Sequence, residues 1–188
     1  MGGPSDRNAN RKAASRPASA VHANEGTAAT TLRPMRGDAY PAYVEAAIKS
    51  YADENVAAGR WPPVGAVERS REDFESLLPR GLETPDNFLF EIVDGEDGPI
   101  VGYVWYALER KHGACGAYIY DLEVKADHRR AGHAWRALQA LELLAAESGA
   151  SSIGLNVFAN NAGAQALYRK LGYAPTNFSM RKPLGAPA

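Results

Sequence analysis

The stretch Tyr118-Ile119-Tyr120-Asp121-Leu122-Glu123-Val124-Lys125-Ala126-Asp127-His128-Arg129-Arg130-Ala131-Gly132-His133-Ala134 decides how the rest of the chain is read. Its first seven residues read as a strand. A polar turn follows, and a glycine-containing loop opens a helix. The first turn of a helix leaves backbone N–H groups without partners, and the helix dipole favours negative charge there. A diphosphate can accept those hydrogen bonds. Gly132 lets the backbone come close to an anion, Ala134 keeps that face small, and Arg129 and Arg130 add positive charge. An ordinary helix start is the competing reading, because glycine often serves such connections for backbone reasons alone.

Working outward, the helix runs from Gly132 to Glu147, with Ala134, Ala137, Leu138, Leu141, Leu144 and Ala145 on one face. Ser152 to Phe158 reads as a strand, Asn161 to Leu171 as a short helix, and Tyr173 to Met180 as a final strand. Upstream, Phe88–Val93, Ile100–Leu108 and Ala117–Val124 read as strands separated by turn-forming segments. Before them, Asp38 is the expected N-cap of a helix carrying Tyr40, Val44, Ala47, Ile48 and Tyr51. Ser70 and Asp73 suggest a capping box that starts a second helix. Antiparallel strands followed by one β-α-β unit imply an α/β protein. Its central sheet is mixed and mostly antiparallel, with helices on both faces.

The chain has 188 residues, 45% hydrophobic and 23% charged, which fits one globular domain. A net charge of -1 gives no basic surface for nucleic acid, so neither nucleic acid nor membrane is an expected partner. The single cysteine, Cys115, cannot form an intrachain disulfide, and no apolar run approaches the ~18 residues of a membrane span. A cytoplasmic location is therefore expected. Residues 1–30 hold almost no large apolar side chain and read as a disordered tail, with a transit peptide as the weaker alternative. The domain is expected over 31–183, with a short C-terminal tail at 184–188. No His, Cys and carboxylate cluster has metal-ligand spacing, so no metal is expected.

Two motifs carry a family resemblance. Leu122-Glu123-Val124, four residues, then Arg129-x-x-Gly132-x-Ala134 resembles the cofactor motif of the GNAT superfamily of N-acetyltransferases. Downstream, Asn161-x-x-Ala164-x-x-Leu167-Tyr168-x-x-x-Gly172-Tyr173 resembles the second GNAT signature. Their order and spacing are more specific together than either is alone. The resemblance covers roughly residues 31–183 and implies a V-shaped cofactor cleft between two splayed strands. It implies acetyl-CoA as cofactor. Leu122, Glu123 and Val124 would pair with the pantetheine arm. Arg129, Arg130, Ala131, Gly132, His133 and Ala134 would hold the pyrophosphate. Asn161, Ala164 and Tyr168 would line the arm from the second motif, although Asn161 also suits an N-cap. His133 and Trp135 stand where many relatives carry other residues, and Trp135 is expected to pack on the sheet.

The implied reaction is direct attack of a primary amine on the thioester. The amine must first lose a proton, and the thiolate must gain one. Tyr168 matches the family's acid position, and a phenol of pKa near ~10 suits a thiol of ~8.5. Asp121 is the first candidate for the base and Glu123 the second, because period two puts them on one face of the strand. Asp121 lies one place after the position where some relatives carry a carboxylate, which is Tyr120 here. His128 and His133 lie on the phosphate side and are poor bases. Asn156 is a candidate to line the cleft, and Cys115 reads as incidental. Tyr51, Glu54, Trp61 and Tyr106 are the expected acceptor-site residues. A small-molecule amine is the expected acceptor, with a peptide or protein amine as the alternative. A non-catalytic acyl-CoA-binding module is the rival from another class. A homodimer is among the assemblies left open.

Overall fold

The computed structural model describes residues 21–23, 30–111 and 113–182. The chain divides into two compact units, Met1–Asn156 and Val157–Ala188. The first unit is a six-stranded sheet in sequential order. Its strands are β1 (Val21–Ala23), β2 (Thr30–Pro34), β3 (Asn87–Asp94), β4 (Ile100–Lys111), β5 (Ala114–Val124) and β6 (Ile153–Leu155). All neighbours are antiparallel except β5 and β6, which are parallel. The expected mixed, mostly antiparallel sheet is therefore found.

Helices cover both faces, and strand alternation sorts their contacts. On one face, α1 (Tyr40–Ala57) and α2 (Ala66–Leu77) bury Tyr43, Ala47, Ile48 and Phe74 against Leu89 of β3 and Trp105 of β4. On the other, α3 (His133–Glu147) buries Ala137, Leu138, Leu141 and Leu144. The neighbouring strand residues Phe88, Phe90, Val104 and Tyr106 point to that second face and are also buried. Glu91 lies fully buried on the α1 face of β3. It accepts two hydrogen bonds from Arg33, at 2.9 and 2.7 Å, and one from Arg36 at 3.3 Å. A buried carboxylate needs such donors, so these arginines fix the entry into α1.

Several local expectations are corrected. Asp38 does not cap α1: the cap position is Ala39, and Asp38 lies beside Arg36 at 3.6 Å. Ser70 does not start α2, which begins four residues earlier after Gly65, a residue in the left-handed region at φ 72°. The Ser70 hydroxyl instead donates to the Ile48 carbonyl at 2.8 Å, a buried tie between the two helices. The ordered chain reaches into the stretch read as a tail: Val21–Ala23 pairs with β2, and Thr30 is fully buried. The remainder of residues 1–29 and the tail at 184–188 lie outside the described residues.

The second unit contains α4 (Ala162–Lys170). Asn161 caps it, its side-chain oxygen accepting from the Ala164 N–H at 3.1 Å. The strand expected at Tyr173–Met180 is not formed: residues 173–182 carry no strand, and Phe178 and Met180 are exposed. A strand exists only as one side of a hydrogen-bonded ladder, and apolar composition alone does not supply the other side.

Candidate active site

The site begins with an irregularity in the β4–β5 ladder. Trp105 pairs with Asp121, but Tyr106 pairs with Ile119, so β5 carries one extra residue, Tyr120. Such a bulge resets which side chains share a face. Before it, Ile119 opposes Tyr106 on the α3 side. After it, Asp121 opposes Trp105 and Glu123 opposes Tyr103, both on the α1 side. Tyr120 itself stacks on Trp105, with ring centroids 4.6 Å apart and planes 20° apart. Tyr118 meets Tyr120 edge-on at 5.0 Å. Two tyrosines and two carboxylates thus share one face of β5.

Asp121 is held from α1. The Tyr43 hydroxyl donates to Asp121 Oδ2 at 2.9 Å, while the Tyr43 ring packs 5.2 Å from that of Tyr103. Burial pushes the Asp121 carboxyl up to about 6, with Glu123 and Glu54 adding to the rise. The Tyr43 hydrogen bond and the Leu122 amide work in the opposite direction. Burial also raises the Glu54 carboxyl, and Glu123 adds to that. Glu54 and Glu123 thus lie close enough to Asp121 to act on its carboxyl. Tyr51 closes this side, lying edge-on to Trp61 at 5.4 Å and to Phe74 at 6.4 Å. Trp61 also carries the Arg69 guanidinium 5.5 Å from its ring centre.

The other edge of β5 is open where it matters. Strand β6 pairs only with Ala117, Tyr118 and Ile119. Among the described residues no strand continues along that edge beside Leu122, Glu123 and Val124. An edge without a strand partner is one with which an extended ligand arm can pair through backbone groups. Beyond it, a 3-10 turn at Ala126–His128 leads to Arg130 and Gly132, both left-handed, at φ 66° and 83°. The ladder of α3 starts with Arg136 N–H on the Gly132 carbonyl, and no side chain caps the helix. The N–H groups of His133, Ala134 and Trp135 thus lie ahead of the ladder, which suits an anion. Arg136 clamps the loop, donating to the Ala131 carbonyl and to Thr30 Oγ1, each at 2.8 Å.

The family-model comparison agrees with this geometry: the model of the Acetyltransferase (GNAT) family matches residues 49–173. The chain belongs to that family. It is 39% identical over 153 residues to the uncharacterized N-acetyltransferase YycN of Bacillus subtilis, across 81% of this chain and 97% of that one. It is 33% identical over 156 residues to the uncharacterized N-acetyltransferase YdgE of the same organism, across 83% and 99%. The crystal structure of the putative acetyltransferase YycN superimposes with a TM-score of 0.78 at 38% identity, covering 82% of this chain and 98% of that one. These matches span nearly the whole of each relative, so the family assignment takes in β5, the loop and α4 together.

Within this GNAT chain the sequence-derived residues separate. Asp121, Glu123, Tyr51 and Glu54 are brought to one face, and Trp61 joins them through Tyr51. Tyr106 is corrected: it is fully buried on the α3 side, stacked on Phe88 at 5.0 Å, because the alternation of β4 turns it away from Trp105. The His133 side chain is also turned away. It is buried, with Nδ1 3.1 Å from Thr30 Oγ1, and burial lowers its pKa, leaving only its backbone N–H toward the loop. Arg129 folds back to donate to the Val124 carbonyl at 2.8 Å. Leu122 and Val124 are half-buried. Asn156 lies past the end of β6 and is exposed. On α4, Tyr168 packs 5.6 Å from Tyr173, and Asn161 and Ala164 form the cap. Among the described residues no group of three His, Cys, Asp or Glu side chains is placed to hold a metal ion, and no helix is long and apolar enough to cross a membrane.

Sequence reasoning missed Tyr43, Tyr118, Tyr120 and Arg136. Tyr43 falls outside the apolar stripe expected for α1, one residue before Val44. Arg136 had a signal: it lies one helical turn after Gly132, within reach of the loop.

The raised Asp121 carboxyl has a stability consequence with a definite sign. An unfolded Asp titrates near ~3.9. Between about pH 4 and about pH 6 the fold keeps a proton that the unfolded chain has lost, so this group's contribution worsens as pH rises through that window. Asp121→Asn should therefore raise the melting temperature at pH 7.5 by roughly 5 °C, from a change on the order of 2 kcal/mol. At pH 4 the two proteins should melt together. Calorimetric scans at the two pH values check this.

Proposed function

We propose that this GNAT protein is an acetyl-CoA-dependent N-acetyltransferase acting on a small primary amine. The observation that carries the reading is the juxtaposition on β5. A backbone edge without a strand partner runs along Leu122–Val124, and the half-buried Asp121 carboxylate, held by Tyr43, lies next to it in the chain.

Acetyl-CoA, when bound, supplies the acetyl group as a thioester. Leu122, Glu123 and Val124 would pair with its pantetheine arm through backbone groups. The loop from Arg129 to Ala134 would hold the pyrophosphate, with Arg129 and Arg130 adding positive charge. Gly132 fits this role: its left-handed φ of 83° disfavours a side chain, and an added Cβ would lie 2.7 Å from Arg136 Nη1. Asp121 takes the proton from the incoming ammonium, directly or through one water, and a carboxyl near 6 is ionised and still basic at neutral pH. Glu54 and Glu123 favour a cationic acceptor, while Tyr51 and Trp61 give it apolar and aromatic walls. Tyr168, at the tyrosine position of the second motif on α4, donates the proton that the leaving sulfur needs. A cytoplasmic setting fits a chain with one free cysteine, Cys115.

A panel of small amines, with lysine peptides as a separate arm, tests the reading by release of free CoA from acetyl-CoA. Turnover with small amines is expected. Transfer to peptides alone would replace the small-molecule acceptor by a protein, and tight CoA binding with no transfer in either arm would leave a binding module. Gly132→Glu should lower CoA affinity by at least ~100-fold, through backbone strain and charge conflict. Calorimetry showing ordinary affinity would remove the loop from the cofactor site. Tyr168→Phe should lower turnover by about 10²-fold or more with CoA binding nearly intact. Unchanged turnover would take Tyr168 out of the chemistry.

A further inference from the structure

Tyr43 is a buried tyrosine on the side of α1 that packs against the sheet. Its exposure is 2%, its ring lies among Met35, Ala47, Ile48 and Leu89, and its hydroxyl reaches the Asp121 carboxylate. A phenylalanine would pack as well, so packing does not explain the hydroxyl. The bulge at Tyr120 explains it. The bulge turns Asp121 onto the α1 face, where burial would otherwise leave its carboxylate with one donor fewer. We propose that Tyr43 is the positioning residue of the base: its hydroxyl holds Oδ2 of Asp121 and thereby leaves Oδ1 as the oxygen that accepts the acceptor's proton. This rests on the reading of Asp121 as base.

Three observations favour the role. The Tyr43 hydroxyl is a dependable donor, because burial first and the Asp121 charge second push its pKa well above that of an ordinary tyrosine. Its proton therefore stays in place while Asp121 ionises. The ring is fixed at both ends, by the core of α1 and by Tyr103, so the carboxylate is held by a rigid group. The other ionisable groups facing the pair act differently. Glu54 of α1 and Glu123 of β5 raise the Asp121 carboxyl. Tyr40 of α1 and Glu123 act on Tyr43, and Tyr103 of β4 senses Glu91, Glu123 and Arg36. Among these groups Tyr43 is the one whose side chain donates a hydrogen bond to the carboxylate.

The test is a carboxyl carbon NMR titration of the full chain labelled with 13C-aspartate, in the unsubstituted protein and in Tyr43→Phe. Asp121→Asn assigns the resonance. The carboxyl should titrate near 6 in the unsubstituted protein and about one pH unit higher in Tyr43→Phe, the size of one lost hydrogen bond to a charged group. The acid limb of any amine-dependent CoA release should move by the same amount, with activity regained at high pH. An Asp121 titration that stays in place in a folded Tyr43→Phe protein would overturn the proposal. Should Tyr43→Phe melt low, it is titrated in the cold beside Tyr40→Phe and Tyr103→Phe. A shift as large in either of them as in a Tyr43→Phe protein measured at low temperature would equally overturn it. The base reading fails separately, when Asp121→Asn retains CoA release on an amine that the unsubstituted protein acetylates.

Discussion

A strand turns its side chains alternately to the two faces of a sheet, and one inserted residue reverses that order for everything beyond it. In this protein the inserted residue is Tyr120. Without it, Asp121 and Glu123 would follow Ile119 onto the α3 face, among Val104, Tyr106 and Leu138, where charge has no partner. With it, the carboxylates arrive under α1, beside a buried hydroxyl and an aromatic wall. The reversal also keeps Leu122 opposite Val104, so the apolar face of β5 stays continuous while its polar residues are gathered on the other side.

The candidate site is therefore built from two kinds of support. Backbone features make up the part proposed for the cofactor: an edge of β5 beyond the reach of β6, left-handed residues at Arg130 and Gly132, and a helix start that no side chain caps. Side chains make up the part proposed for the acceptor and the proton: Asp121 held by Tyr43, with Glu54 and Glu123 near enough to raise its carboxyl. The arginines divide between the two tasks of binding and bracing. Arg136 donates to the Ala131 carbonyl of the loop and to Thr30, and Arg129 donates to the Val124 carbonyl at the end of β5, which braces the loop at both ends. Such bracing is what holds a binding loop at the geometry that an anion needs.

Electrostatics on the α1 side of β5 follow from the same arrangement. Burial makes ionisation of Asp121 costly, and nearby carboxylates make it costlier. The site therefore stores a modest amount of instability at neutral pH, and a cationic ligand would relieve it. Glu91 shows the contrast on the same face of the sheet. It is more deeply buried than Asp121, yet it is met by two arginines and serves to tie β2, β3 and the entry of α1. A carboxylate matched by cations holds the fold, whereas one matched by a neutral hydroxyl is left able to change its charge.

Spacing along the chain was enough to locate the loop at Arg129–Ala134, the apolar face of α3, the cap at Asn161 and the shared face of Asp121 and Glu123, because these depend on residues a few positions apart on one element. Two motifs in order were enough for the family. What needed the tertiary structure depended on pairing between distant segments. The extra residue at Tyr120 appears only when β5 is laid against β4, since a bulge leaves no mark in the composition of a strand. Tyr43 gains its place in the site from a hydrogen bond to a carboxylate 78 positions away, which no local pattern marks. Tyr106 looked like an acceptor residue because it is aromatic and central, and only the face it takes in the sheet removes it. The use of Ser70 and the strand expected at 173–180 also turned on distant partners: Ser70 bonds to the Ile48 carbonyl of α1, and residues 173–180 carry no ladder. Periodicity tells which residues travel together, and only the contacts between elements tell what they meet.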